Sequence, residues 1–193
     1  MKLERLKALF YYKDGKLFNK ISRGSARRDT EAGYIAEDGY RRVRIDGKYY
    51  YIHRLVWFIL TNKEVPEDLS IDHIDGDRLN NHIENLRLAS SLENQYNKFR
   101  QVNGTSKYKG VWYDSVKSIW KASIRSQEKR TYIGQFETEI EAAIAYDKLA
   151  LQLQGKFAKL NILTGLPSEQ SEQNEPLKRC CYCEKVSFMG QRK

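Results

Sequence analysis

Cysteine is nearly missing from this chain: three occur in 193 residues, all between Cys180 and Cys183. No disulfide framework can therefore staple the main body. Long apolar runs are missing too. The longest, Leu55 to Leu60, falls far short of the roughly 20 residues that cross a bilayer, and mean hydropathy is −0.71, so a membrane protein is not expected. The opening MKLERLKALFYY carries charges through the stretch that a secretory signal keeps apolar. An intracellular, cytoplasmic location is the expectation that follows. Histidine is scarce, at three, and neither its spacing nor the cysteines supply the ligand pairs of structural zinc.

Positive charge is what the chain has in excess. Lys and Arg number 34 against 25 Asp and Glu, a net of +9, and 13 tyrosines dominate the aromatic residues. Such a balance points to an acidic partner such as nucleic acid. The excess is shared by the residues before 100 and those that follow, so no single basic tail carries it. Composition divides the chain into a region 1–100, a polar linker 101–107 (QVNGTSK), an ordered region 108–162 and a tail 163–193. The stretch SEQSEQNEP in that tail has almost no large apolar residues and is expected to be disordered.

In the first region, Asp14-Gly15 and Asp46-Gly47 each separate two β-rich runs, the signature of tight hairpins. His53 to Glu64 is apolar nearly all round and stops before Pro66, which predicts a buried helix. His53 itself is expected to be a hydrogen-bonded core residue or one placed just behind the catalytic groups, rather than a direct participant. Next come a short strand ending near Ile74, a loop rich in Asp, Gly and Asn, and an apolar run Leu86 to Ala89. Ser90 followed by Glu93 is a capping box that opens a helix to about Phe99.

The segment SIDHIDGDRLNNHIENLRLASSLENQYN, residues 70–97, sits on that order of strand, loop, strand, helix. Phosphodiester hydrolysis needs a base for water and a hard cation for the phosphate. Adjacent residues of a strand point to opposite sides, so His73 can face water while Asp72 faces a metal. Asn85, at the start of the returning strand, is placed to accept the other imidazole N–H, and Asn94 in the first turn of the helix to join Asp72 on the cation. Two oxygen ligands completed by water and phosphate suit Mg2+, with Mn2+ the alternative. Asp75, Asp77 and Asn81 read as loop-shaping residues, and His82 as solvated.

These residues closely resemble the HNH endonucleases, especially the phage and intron-encoded homing-type members whose motif reads His-Asn-Asn. Asp72-His73, Asn85 in ENLR and Asn94 in ENQ stand in that family's order and close to its spacing. The HRLVW box from His53 and the Gly39-Tyr40 and Asp46-Gly47-Lys48 hairpin extend the likeness over about 50 residues, a core near 53–99. The resemblance implies a ββα-metal fold, with Asp72 and Asn94 as metal ligands, His73 as general base and Asn85 orienting it.

The second region reads as three alternating runs, YKGVWYD, IWKASIR and KRTYIGQF, then a helical pattern ETEIEAAIAYDKLALQLQG. Alternation puts Val111, Tyr113, Trp120, Ala122, Ile124, Thr131 and Ile133 on one sheet face, under a stripe of helical alanines and Tyr146. Trp112, Lys121, Ser123, Arg125, Arg130 and Tyr132 fall on the open face, within reach of a major groove. This segment is similar to the DNA-binding domain of plant ethylene-response (Apetala-2-type) factors in Gly110-Val111, Trp120-Lys121-Ala122, Ile133-Gly134-Gln135-Phe136, Ala142-Ala143, Ala145-Tyr146-Asp147, Gly155 and Leu160-Asn161. Its DNA-facing positions correspond to Lys109, Trp112, Asp114, Ser123, Arg125, Arg130 and Tyr132. Such domains also occur fused to HNH nucleases. Trp112, Asp114 and Ser123 depart from the plant pattern, so sequence preference does not carry over.

The combined expectation is an α+β chain: a ββα-metal region with N-terminal hairpins, then a three-stranded antiparallel sheet packed on one helix. It acts as a metal-dependent endonuclease on double-stranded DNA. The alternative is a non-catalytic DNA-binding regulator on a degenerate scaffold, against which the complete set Asp72, His73, Asn85 and Asn94 argues. Cys180, Cys181 and Cys183 supply one Cys-x-x-Cys half-site without a partner pair, too little for a zinc site.

Overall fold

A computed structural model describes residues 3–98, 104–127 and 129–163. Residues 101–103 of the linker expected at 101–107, and residues 164–193 of the tail with its cysteines, therefore lie outside the described residues. Helix α1 (Leu3–Leu9) leads into a hairpin of β1 (Phe10–Lys13) and β2 (Lys16–Asn19). Asp14 and Gly15 both have positive φ, as do Asp46 and Gly47 in the second Asp-Gly turn, the conformation that Asp-Gly allows and a two-residue hairpin needs. Strands β3 (Tyr34–Ile35), β4 (Arg41–Ile45) and β5 (Lys48–Tyr51) form one antiparallel sheet in sequence order.

Helix α2 (Ile52–Thr61) follows without a break. It stops earlier than its apolar pattern suggests, because Asn62 turns into the left-handed region at φ 54° and caps Phe58 O with its N–H. Nor is it buried all round. Ile52, His53, Leu55 and Val56 face the interior while Leu60 stays exposed. Strands β6 (Ser70–His73) and β7 (Leu86–Ala89) pair antiparallel, and α3 (Ser91–Tyr96) begins at the predicted capping box, with Ser90 Oγ accepting from Glu93 N–H and Glu93 from Ser90 N–H. Leu6, Phe10, Leu17, Ile45, Ile52, Val56, Ile71 and Leu86 close into one core. The hairpin that carries Asp72 and His73 is thus built onto the N-terminal strands.

Strands β8 (Val111–Asp114), β9 (Ile119–Ser126) and β10 (Lys129–Phe136) form the expected sheet in the order β10-β9-β8, and α4 (Glu139–Gln154) covers one face. Ala142, Ala143, Tyr146 and Ala150 of α4 are buried against Val111, Ala122 and Ile124. Close approach is possible because Gly110, at φ +75°, has no Cβ; one would lie 2.3 Å from the Tyr146 ring and 2.5 Å from Ser123 O. A bulge between Tyr132 and Gly134 lets Ile133 reach the core. Two faces differ from simple alternation. Tyr113 lies at the sheet edge, 37% exposed, and Ser123, expected on the open face, is buried, because Arg130 lies across it and donates from Nε to its Oγ at 3.0 Å.

The two regions share a seam. Ala89 and Tyr96 of the first pack with Phe157 of the second, beside Leu92. Tyr96 accepts from Gln127 N–H at 2.8 Å and its hydroxyl lies 3.2 Å from Ser126 Oγ. Among the described residues no helix is long and apolar enough to cross a membrane. After α4 the chain is tied down by the fully buried Asp147, whose carboxylate accepts the backbone N–H groups of Asn161, Ile162 and Leu163 at 2.7–3.0 Å. Removing that acceptor leaves three donors wanting. Asp147→Ala is therefore expected to cost about 2–4 kcal/mol, read as a clear fall in Tm by circular dichroism; an unchanged Tm would show that these bonds contribute nothing.

Candidate active site

The β6–β7 hairpin sets opposing neighbours by its register: Asp72 faces Arg87, and Ile71 faces Leu88. Alternation sends Ile71 into the core and Asp72 to the opposite face. There its carboxylate is 5% exposed, a burial that demands compensation. Arg87 supplies it, with Nε 2.9 Å and Nη2 2.8 Å from Oδ2. Asn97, just past α3, donates from Nδ2 to both carboxylate oxygens at 3.1 Å and to His73 O at 2.7 Å.

His73 is buried on the other side of the strand, its Nε2 3.0 Å from Oδ1 of the buried Asn81. The Asn81 Nδ2 is already committed to Leu79 O at 3.2 Å. Its oxygen must then face the ring, so Nε2 carries the proton and Nδ1 keeps a lone pair. The sequence reading gave this orienting role to Asn85. In the structure Asn85 instead stitches the loop: its Oδ1 accepts from Asp75 N–H at 3.1 Å, and its Nδ2 donates to Asp75 Oδ1 at 2.9 Å and Asn80 O at 2.8 Å. The physical reason is reach, since a short 3-10 turn, Ile83–Asn85, precedes β7 and directs Asn85 into the loop.

Asp75 is the hub of that loop, also accepting from Asn80 Nδ2 at 2.6 Å and Asp77 N–H at 2.8 Å. Burial pushes its carboxyl up, but the bonds from Asn85, Asn80 and Asp77 outweigh it and hold it below the usual carboxylate range. His53 stands edge-on to His73 with ring centres 5.2 Å apart, and Tyr40 and Tyr51 pack beside it at 5.2 and 5.3 Å. These are ring contacts rather than the expected hydrogen bonds, and they place the buried His53 directly behind His73, the second position expected for it. Burial first, then the neighbouring His73 and Arg54, lowers His53 to about 3.

Asp72, His73 and Asn94 line one cavity of about 520 Å³, with Tyr40, Arg78 and Lys98. Asn94 donates from Nδ2 to Ser70 Oγ at 3.4 Å, which leaves Oδ1 on the far side of the amide. Arg78 lies over the Tyr40 ring at 4.9 Å and donates to Asp38 O. Among the described residues no three His, Cys, Asp or Glu side chains cluster as a metal cage. Asp72 and Asn94 each bring a side-chain oxygen to the cavity lining.

The residues expected to face DNA divide. Arg125, Arg130 and Tyr132 are exposed, and Arg130 lies over the half-buried Trp112 at 5.6 Å. Asp114 and Lys121 pair with each other, and Asp114 also holds the β8–β9 turn through Val116 and Lys117 N–H. Lys109 turns inward instead, donating from Nζ to Tyr96 O. Burial, then the charge of Lys159, lowers it to about 8. Arg87, Asn97, Tyr40 and Arg78 escaped the sequence reading. Two left a trace: Asn97 follows Asn94 by three residues, and Arg87 becomes the partner of Asp72 once the hairpin is paired.

A two-stranded hairpin whose loop is stitched by Asp and Asn, closed by a short capped helix over an Asp-His pair, forms a compact polar site. Residues 50–96 match the HNH endonuclease family, and the chain belongs to that family. It is 34% identical over 128 residues to an uncharacterized HNH endonuclease of Acanthamoeba polyphaga mimivirus, covering 66% of this chain and 65% of that protein. It is 31% identical over 107 residues to Protein 3.8 of Escherichia phage T7, covering 55% of this chain and 87% of the phage protein. An ethylene-responsive transcription factor of Medicago truncatula matches at 35% over 89 residues, 43% of this chain and 33% of the plant protein. No solved structure matches the chain.

The two rings at the site should behave differently in solution. With a folded pKa near 3 against about 6.5 unfolded, the unfolded chain binds the proton that folded His53 refuses. The contribution of His53 to stability is complete above the unfolded value and is lost as pH falls from there toward 3. In a side-chain 15N NMR titration His53 should stay neutral between pH 8 and 5, and His73 in its neutral form should carry its proton on Nε2. A His53 midpoint near 6.5, or an Nδ1-protonated His73, would contradict this geometry.

Proposed function

We propose that the protein is a divalent-metal-dependent DNA endonuclease of the HNH homing type, working on double-stranded DNA inside the cell. The observation that carries the reading is the convergence of Asp72, His73 and Asn94 on one cavity, with the His73 tautomer set by Asn81. In a ββα-metal arrangement Asp72 and Asn94 would hold the cation. The donor set fits: two hard oxygens, few protein ligands and room for water and phosphate, the pattern that suits Mg2+ or Mn2+. When bound, the ion would neutralise charge on the scissile phosphate and on the departing 3′ oxygen.

The chain's own residues do the rest. His73 Nδ1 takes the proton of the attacking water, and Asn81 stabilises the imidazolium that results by accepting from Nε2–H. Neutral His53 and Tyr40 wall the base without adding a charge that would oppose its protonation. Arg78 and Lys98 at the cavity rim attract phosphates. Asn85 keeps the loop in shape and so acts on His73 indirectly. The sheet of the second region is an Apetala-2-type targeting surface, with Arg125, Arg130, Tyr132 and Trp112 toward the groove and Asp114, Lys121 and Ser123 supporting them. Lys109 belongs to the seam between the regions.

Supercoiled DNA incubated with the full chain and Mg2+ should yield nicked or linear product, and chelator should stop it. His73→Ala should lower the rate by about 10² to 10⁴ while leaving DNA affinity nearly unchanged. Cutting at the wild-type rate by that variant would remove His73 as the base.

Replacing both Arg125 and Arg130 by Ala in the full chain tests the targeting surface. Each lost phosphate contact should reduce the slope of log affinity against log salt by about 0.9, and loss of a base-reading Arg should cost roughly 1–3 kcal/mol on a preferred sequence only. Binding titrations at several salt concentrations, on a selected target and on random DNA, separate the two. Identical affinity, slope and preference would show that this sheet does not target the enzyme.

A further inference from the structure

Arg87 touches both regions of the molecule. Its Nε and Nη2 hold Asp72 Oδ2, while its Nη1 donates to Lys156 O at 2.5 Å and its guanidinium lies over the Phe157 ring, 4.2 Å from the centroid. Lys156 and Phe157 belong to the turn that ends α4, outside the matched residues 50–96. A second contact runs the same way, from Lys159 Nζ to Asp75 O in the loop beside His73, at 3.1 Å. The segment after α4 therefore grips the site on both sides of His73.

We infer that Arg87 is a positioning residue through which the seating of residues 156–159 sets the Asp72 carboxylate for the cation. This rests on the reading of Asp72 as a metal ligand. The hydrogen bonds show how it works. Among the described residues, Oδ2 carries both Arg87 contacts and shares the Asn97 amide, whereas Oδ1 accepts only the long, shared Asn97 bond. One oxygen is fixed by protein and the other is left to coordinate. An outer partner of this kind orients a carboxylate ligand and tunes its affinity. The Phe157 face and Lys156 O in turn fix the guanidinium plane. Only a planar, forked cation can satisfy a carboxylate, a carbonyl and a ring at once, so Lys cannot replace Arg here. The contact of Lys156 O and Phe157 with Arg87, rather than the seam as a whole, thus becomes the condition for a well-formed metal site.

Mn2+ titrations of the full chain without DNA, followed by water-proton relaxation and paired with Tm, test this directly. Phe157→Ala and Arg87→Lys should each weaken Mn2+ binding by about 10-fold. Leu92→Ala is the control: it loosens the same seam cluster without touching Arg87, and it should lower Tm but leave Mn2+ affinity at the wild-type value. Asp72→Asn should abolish the binding. If Asp72→Asn loses Mn2+ while Phe157→Ala and Arg87→Lys keep it, or if Leu92→Ala loses as much as Phe157→Ala, the coupling is wrong and the metal ligand stands. If Mn2+ binding does not depend on Asp72 at all, the metal reading itself fails, and the coupling with it.

Discussion

A carboxylate withdrawn from water must find a counter-charge or give up its own, and at Asp72 that requirement brings three parts of the chain together. Arg87 comes from the paired strand, Asn97 from the end of α3, and the support of Arg87 from the turn after α4. Each would have little reason to stand where it does without the others. Arg87 is itself mostly buried and could not stay so without Asp72. The pair stores no large net stability, because desolvation offsets most of its attraction. Its value lies in direction: it permits one arrangement of hairpin, helix and turn.

The loop between the two strands solves a different problem. It must hold His73 rigid beside a cavity while having no core of its own, and it does so with amides and carboxylates bonded to one another. Asp75 gathers Asn80, Asn85 and the Asp77 N–H, and Asn81 faces the imidazole. Short side chains with fixed donors and acceptors suit this better than long charged ones, since little rotamer entropy is lost on ordering them. The His73 imidazole is thereby set in one tautomer by neighbouring amides.

Positive charge in the second region is spent in two ways. Arg125 and Arg130 remain exposed on the sheet, where a polyanion can meet them. Lys109 and Lys121 serve the protein itself, one across the seam to Tyr96 and one within the sheet to Asp114. Net charge tells what kind of partner a surface attracts, but not which cations are free to meet it.

Much was legible in the sequence because it is local. Asp-Gly pairs between β-rich runs form the hairpins, Ser90 with Glu93 opens its helix, and alternation in β8 and β9 finds Val111, Ala122 and Ile124 for the core. The spacing of Asp72, His73 and Asn94 likewise brings them to one cavity, since a hairpin and one helical turn fix the distances between them. What the sequence left open depends on contacts between residues distant along the chain. Asn85 is expected to orient His73 and Asn81 only to shape the loop, but once the loop closes it is Asn81 that faces the imidazole, because the 3-10 turn before β7 directs Asn85 into the loop. Arg87 stands in the ENLR stretch with no role assigned to it, and its place becomes plain only when Phe157, 70 residues later, lies beneath it. Periodicity and capping act over a few residues and are written in order, whereas a buried charge is satisfied by whatever the whole fold brings within 3 Å, and only the tertiary structure decides that.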